Sequence, residues 1–274
     1  MLRIITLSAI AVCASAFVAP SASAQSAPEV TLTRLDCGTG GPRPVNERFS
    51  DTQAYGDLKV PFTFSCYLIK HGNDYLLWDT GQAMSAAADV RPKTSIVDQL
   101  AQLKVTPAQI RYVGISHYHG DHTGQVDSFP QATVLIGKGD WAAITSPKPE
   151  PGVNFKTFTH WISGGGKVEP LAADKDVFGD GSVVILNTPG HTPGHHSVLV
   201  KLQGMGNVLL SGDAAHFHEN YESNGVPVFN VSRADTLASL DRIKKIAANL
   251  KATVIIQHDA RDIGKLPAFP AAAR

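Results

Sequence analysis

The chain has 274 residues, with 24 lysines and arginines against 24 aspartates and glutamates, 11 histidines and three cysteines. This length suits one large α/β domain with a substantial core better than two domains. The even charge balance argues against a nucleic-acid binder, which carries a basic excess or stripe.

Residues 1–24 read as a processing signal. Arg3 gives a short positive start, residues 4–18 form an apolar run broken only by Thr6, Ser8 and Ser15, and Ala22-Ser23-Ala24 makes a small-residue cleavage site. The run is shorter than the roughly 20 residues that span a bilayer, so a removed signal is expected and no membrane anchor remains after processing. Cys13 follows Val12, which is not small, and this disfavours lipid attachment. The mature chain is then a single domain over residues 25–274, periplasmic or secreted. Only Arg3 is lost from the charge count, so 23 basic residues face 24 acidic ones, net −1. Cys37 and Cys66 survive processing. An oxidising compartment permits them to pair, provided the fold brings their Cα atoms close enough.

Further along, residues 60–69 and 75–79 read as strands joined by a hairpin turn at His71-Gly72-Asn73-Asp74. Residues 95–103 and 107–111 read as helical and lead into an apolar strand at 112–116. Short runs rich in Val, Ile and Leu at 133–137, 183–188, 197–202, 207–211 and 253–257 have the character of buried strands. Between them, residues 142–170 carry Pro147, Pro149, Pro151 and Gly164-Gly165-Gly166, and are expected to form a loop covering the site. The strongest helix signal is 233–250. Ser232 stands at its N-cap, Asp235 at the reciprocal capping position, and Leu237, Leu240, Ile243, Ala247 and Leu250 share one face.

The chemistry concentrates in His117-Tyr118-His119-Gly120-Asp121-His122, directly after a strand. Four such side chains buried separately would each need its own polar partner. Clustered at a strand end, they call for a shared one, and zinc suits imidazole and carboxylate ligands at about 2.0–2.2 Å. Three more candidates follow strand-like runs: His191 in Pro189-Gly190-His191-Thr192-Pro193-Gly194-His195, Asp213 in Ser211-Gly212-Asp213, and His258 in Gln257-His258-Asp259. Open α/β sheets gather ligands at the carboxyl ends of their strands. No Gly-x-Ser-x-Gly elbow is present, and Cys37 and Cys66 lie outside every motif, so no Ser or Cys nucleophile is indicated.

Together the H-x-H-x-D-H signature, the P-G-H-T-P-G-H turn, the later Gly-Asp and the last strand-end histidine resemble the metallo-β-lactamase superfamily. Within it, the chain is most similar to the N-acyl-homoserine lactonases that degrade quorum-sensing signals. The residues that carry this are Leu35-Asp36-Cys37-Gly38, Cys66-Tyr67-Leu68-Ile69, Leu76-Leu77-Trp78-Asp79-Thr80-Gly81, the stretch from Asp176 to Gly181, and Gly212-Asp213 followed by Glu219-Asn220-Tyr221-Glu222. The resemblance implies an αβ/βα sandwich, two sheets covered by helices, with the site at one edge. His117, His119 and His191 would hold one zinc ion, Asp121, His122 and His258 a second, and Asp213 would bridge them. Asp79 would orient a ligand from behind. A hydroxide between the two ions would then open the lactone ring.

Asp121 and His216 are the candidate catalytic side chains. Acyl-homoserine lactonases commonly carry a Tyr three residues after the bridging Asp, where this chain has His216, whose imidazole N–H can donate to the same substrate oxygen. His195 is a candidate support for the ligands and His218 a lesser candidate near substrate. His71, His160 and His196 read as turn, surface and strand residues. Two other activities compete with lactone hydrolysis. β-Lactam hydrolysis suits an exported protein, but true β-lactamases of the superfamily do not use the Asp213 position as a bridge. Glyoxalase II-like thioester hydrolysis lacks the expected basic residues near the C-terminus. A zinc-binding protein without turnover would be expected to lack part of the ligand set.

Overall fold

The computed structural model describes residues 28–274, so the signal expected at residues 1–24 lies outside the described residues. Strands β1 (Val30–Pro44), β2 (Lys59–His71), β3 (Asp74–Trp78), β4 (Ile110–Ile115), β5 (Thr133–Gly137) and β6 (Val168–Leu171) form one sheet in that order. It is antiparallel from β1 to β3 and parallel from β3 to β6. Strands β7 (Lys175–Asp176), β8 (Val183–Asn187), β9 (His196–Leu202), β10 (Gly206–Leu210) and β11 (Thr253–Ile255) form the second, in the order β11-β10-β9-β8-β7.

Alternate residues along a strand point to opposite faces, and here both faces are covered. On β2 and β3, Tyr67, Ile69, Leu76 and Trp78 meet Val198, Val200, Val208 and Leu210 of β9 and β10 in the layer between the sheets. Their neighbours Cys66, Leu68 and Leu77 face outward onto Ile96, Leu100, Phe158 and Trp161. On the far side, Leu199 and Leu209 pack against Ile243 of the helix Arg233–Leu250. This is the expected αβ/βα sandwich. Strands buried on both faces lose the polar alternation of a half-exposed sheet, which is why they read as continuous apolar runs.

The helix Arg233–Leu250 has the expected bounds, and the Ser232 hydroxyl accepts from Asp235 N–H. Leu240, Ile243 and Ala247 are buried, whereas Leu250 is 39 % exposed where the helix ends in left-handed Lys251. Other expectations need correction. Residues 107–111 are not a helix. Pro107–Gln109 make one 3-10 turn closed by a Thr106/Gln109 capping box, and Ile110 already pairs with Tyr75 as the first residue of β4. The 142–170 segment is only partly a loop. Its second half forms the short helical turns Lys156–Phe158 and Thr159–Ile162 and then β6, with Phe158 and Trp161 buried, while Ala143 and Glu150 to Val153 reach the site.

Cys37 and Cys66 are joined in a disulfide, with Cα atoms 5.9 Å apart across β1 and β2. The bond sits against Gly81, where a Cβ would fall 2.4 Å from that of Cys37, so the turn Asp79-Thr80-Gly81 rests on it. That turn supports the site.

Candidate metal centre

The candidate side chains arrive from separate strand ends. β4 stops at Ile115, and Ser116 then donates through N–H (2.7 Å) and Oγ–H (2.9 Å) to the carboxylate of Asp79, in the turn after β3. His117 and His119 follow in extended chain. The short helix Gly120–Thr123 then turns the backbone and carries Asp121 and His122 to a second group, with the His122 ring still 4.0 Å from that of His117. β8 leads to His191, β10 to Asp213 and β11 to His258.

The seven expected residues converge into two groups, His117, His119, His191 with Asp213, and Asp121, His122 with His258. In the first, the His117 Nε2, His119 Nδ1 and His191 Nε2 atoms stand 2.9, 3.0 and 3.1 Å from one another. Asp213 Oδ2 lies 3.5 Å from His191 Nε2 and 3.7 Å from His117 Nε2. In the second, Asp213 Oδ1 lies 3.0 Å from His258 Nε2 and 3.3 Å from His122 Nε2, and Asp121 Oδ2 lies 3.6 and 3.7 Å from the same nitrogens. The Asp213 carboxylate therefore lies between the groups: Oδ1 faces the second, and Oδ2 is within reach of both, 3.2 Å from His258 Nε2 and 3.5 Å from His191 Nε2.

The far nitrogens of four of these five rings are engaged, which fixes ring orientation and turns the other nitrogen inward. His122 Nδ1 lies 2.9 Å from Asp79 Oδ2, His191 Nδ1 2.8 Å from Asn230 Oδ1, His258 Nδ1 2.9 Å from the Thr63 carbonyl and His117 Nδ1 3.0 Å from Ser116 Oγ. Asp79 thus stands behind a candidate ligand, as the resemblance implies.

The donor set fits a pair of cations. An imidazole nitrogen either donates or accepts, never both, so a triangle of three cannot satisfy all its edges with hydrogen bonds. Ligands about 2.0–2.1 Å from a tetrahedral ion stand about 3.3 Å apart, close to the spacings of the first group. In the second, the buried His122 Nε2 and Asp213 Oδ1 atoms have no hydrogen-bond partner among the described residues. Burial lowers His117 and His191 well below the usual histidine range, with neighbouring rings adding to it. For His122 and His258, burial acts downward, but Asp213 and Asp121 outweigh it and raise them. Asp213 itself is held well below the carboxylate range by His258, His122 and His216, against the upward push of burial.

His195 sits behind the bridge. Its Nδ1–H donates to the Thr188 carbonyl (2.8 Å), and its Nε2 accepts the backbone N–H of Asp213 (2.8 Å). Burial brings its pKa down to about 3, which keeps that nitrogen an acceptor. His216 does not point into water. It is buried, its Nε2 lies 3.2 Å from Asp213 Oδ2, and its Nδ1 has no partner among the described residues. His218 is drawn elsewhere, to Asp262 at 2.6 Å, and His71 stacks on Phe178 beside Asp180. His196 Nδ1–H donates to the Gly194 carbonyl, 2.7 Å away.

In front of the two groups lies a cleft of about 910 Å³. His119, Asp121, His191, Asp213, His216 and His258 line it beside an apolar wall of Phe49, Phe62, Phe64, Phe229 and Val231, and the Arg43 and Arg48 guanidiniums lie over Phe62 and Phe229. Such a cleft takes a small ligand with one polar and one apolar end. Ser116, Asn230 and the Thr63 carbonyl escape sequence reasoning, because none belongs to a motif. Ser116 alone had a local signal, standing between a strand and the histidine cluster.

Residues 61–258 match the family model described as the metallo-beta-lactamase superfamily. The N-acyl homoserine lactonase AttM of Rhizobium radiobacter is 31% identical over 262 residues, which cover 84% of this chain and 94% of that protein. Among solved structures, a quorum-quenching N-acyl homoserine lactone lactonase superposes with a TM-score of 0.72 at 24% identity, covering 90% of this chain and 98% of its own. An N-acyl homoserine lactone hydrolase with the product N-hexanoyl-L-homoserine at its catalytic metal centre does so with 0.71 at 23%, covering 90% and 99%.

Proposed function

The chain belongs to the metallo-β-lactamase superfamily and is a metal-dependent hydrolase, and from that premise we propose that it opens lactone rings, above all those of N-acyl-homoserine lactones, on a dinuclear zinc centre. The observation that carries this reading is the position of the Asp213 carboxylate between the two ligand groups, within 3.5 Å of His191 Nε2 in one and 3.0 Å of His258 Nε2 in the other. The set of nitrogens and carboxylate oxygens suits zinc. His117, His119, His191 and Asp213 would hold one ion, and Asp121, His122, His258 and Asp213 the other. Two such ions supply Lewis acidity for the ester carbonyl, a nucleophilic water near neutral pH and stabilisation of the departing alkoxide.

The chain's own residues do the rest. Asp79, Ser116, Asn230 and the Thr63 carbonyl hold the ring planes, so little reorganisation is needed during reaction. Phe49, Phe62 and Phe229 lie close enough to one another for a continuous apolar surface, with the Phe49 ring 5.2 and 5.4 Å from the other two. That surface would take the acyl chain and exclude water from one side of the ester. His216, in edge contact with Phe49 at 4.9 Å, stands between the apolar wall and Asp213. It is placed to meet the polar head of a substrate whose tail lies on the phenylalanines. Hydrolysis rates on a panel of lactone, β-lactam and thioester substrates test the reading, with acyl-homoserine lactones expected fastest.

Export is proposed on the residues 1–24 pattern, and the Cys37–Cys66 disulfide supports an oxidising destination. The exported chain should begin near Gln25, and its mass should be lower than that of the reduced form by the two hydrogens lost on pairing. Mass measurement on active protein checks both, and an intact Met1 start would remove the case for export.

A further inference from the structure

Outside the ligand set, one carboxylate touches both loops that carry the three-histidine group. Asp140 lies in the short helix Lys138–Ile144 after β5, and none of it is exposed. Its Oδ2 accepts from the Tyr118 backbone N–H (3.1 Å) and the Thr192 hydroxyl (2.8 Å), and its Oδ1 accepts from Gly194 N–H (2.6 Å). Tyr118 separates His117 from His119, and Thr192 directly follows His191. No lysine or arginine among the described residues forms an ion pair with it, so its charge is met by these three donors.

The loops are pressed together with only glycine clearance. A Cβ on Gly194 would stand 2.5 Å from Asp140 N, one on Gly137 would stand 1.8 Å from Gly194 O, and one on Gly139 would stand 2.9 Å from Pro193. A buried carboxylate is costly unless fully hydrogen-bonded, and this one spends all its bonds on two segments distant in sequence. Desolvation pushes its carboxyl up to about 7, against the pull of the three donors.

We propose that Asp140 is a positioning residue for the three-histidine metal site, holding the 117–119 and 191–194 segments at the spacing where their imidazole nitrogens meet. This rests on the dinuclear reading above. Asp79 touches the His122 ring of the other group directly and also holds Ser116, whose Oγ meets His117 Nδ1, whereas Asp140 reaches the three-histidine segments alone and through the backbone and Thr192.

The test is chelator competition on metal-replete protein, reading the release of each zinc ion. Asp140→Asn keeps the shape but turns an amide NH2 toward at least one N–H or O–H donor. It should release one of the two ions about 10–100-fold more readily, the range for loss of a partner outside the ligand set, with the second ion held as in wild type. Asp79→Asn should weaken the ion that Asp140→Asn spares. If Asp140→Asn does not fold, Thr192→Val, which deletes a single donor at constant shape, should show a smaller loss confined to the same ion. Wild-type release of both ions overturns the proposal, and so does equal weakening of both, which a general loosening of the fold produces. A wild-type protein that holds only one ion defeats the dinuclear reading instead, and the Asp140 proposal then stands or falls on whether Asp140→Asn weakens that ion.

Discussion

Asp213→Ala is expected to reduce the metal content of purified, metal-replete protein from about two ions per chain to one or fewer. Lactone hydrolysis should fall by more than the roughly hundredfold cost of removing a partner outside the ligand set. The reason is positional. Among the described residues, the Asp213 carboxylate lies between both ligand groups, at 3.5 Å from His191 Nε2 and 3.0 Å from His258 Nε2. Its backbone is held by the His195 ring and follows left-handed Gly212, which fixes the carboxylate between the groups. Asp259→Ala is the comparison. Asp259 adjoins the last candidate ligand and is buried, but its oxygens bond the backbone N–H groups of His218 and Arg261 and the Arg261 guanidinium. That variant should lose some stability and keep its metal. Elemental analysis with a lactone assay separates the two, and equal small effects would mean that Asp213 is not shared.

His216→Ala should lower lactonase kcat/KM by about tenfold to a thousandfold, as expected for losing one group that contacts the transition state, with metal content near that of wild type. The ring is buried in the cleft, 3.2 Å from Asp213 and in edge contact with Phe49, and its Nδ1 has no partner among the described residues. Removing it opens the cleft beside Asp213 without deleting a residue of either ligand group. His216→Tyr should recover part of the loss, because a hydroxyl can be presented from the same position. Wild-type kinetics for His216→Ala would reduce this residue to packing and leave the metal centre standing.

The candidate ligands were legible because their chemistry is dense. His117, His119, Asp121 and His122 lie within six residues, and His191, Asp213 and His258 each follow an apolar strand. The buried strands were legible for a related reason, since β5 and β10 are covered on both faces and each carries three consecutive residues drawn from Val, Ile and Leu. β1 was not legible. Its Gly38, Gly40, Gly41 and Pro42 resemble a loop, yet a sheet edge tolerates such residues, and the register shifts after Asp36 and Gly40 absorb them. Asp140 and Asn230 were hidden more deeply. A lone acid in a short helix and a lone Asn in a loop carry no local pattern, and their roles exist only once Tyr118, His191 and Gly194 are in place.

The lactonase account is tested most directly by initial rates on one metal-replete preparation with four substrates: N-hexanoyl-homoserine lactone, a simple aliphatic lactone, nitrocefin and a glutathione thioester. The arrangement of a shared Asp213, His216 and an apolar wall predicts the acyl-homoserine lactone first, the aliphatic lactone second, and little turnover of the other two, with all activity lost on chelation and restored by zinc. Preferred hydrolysis of nitrocefin or of the thioester, or lactone turnover that survives complete metal removal, would contradict it.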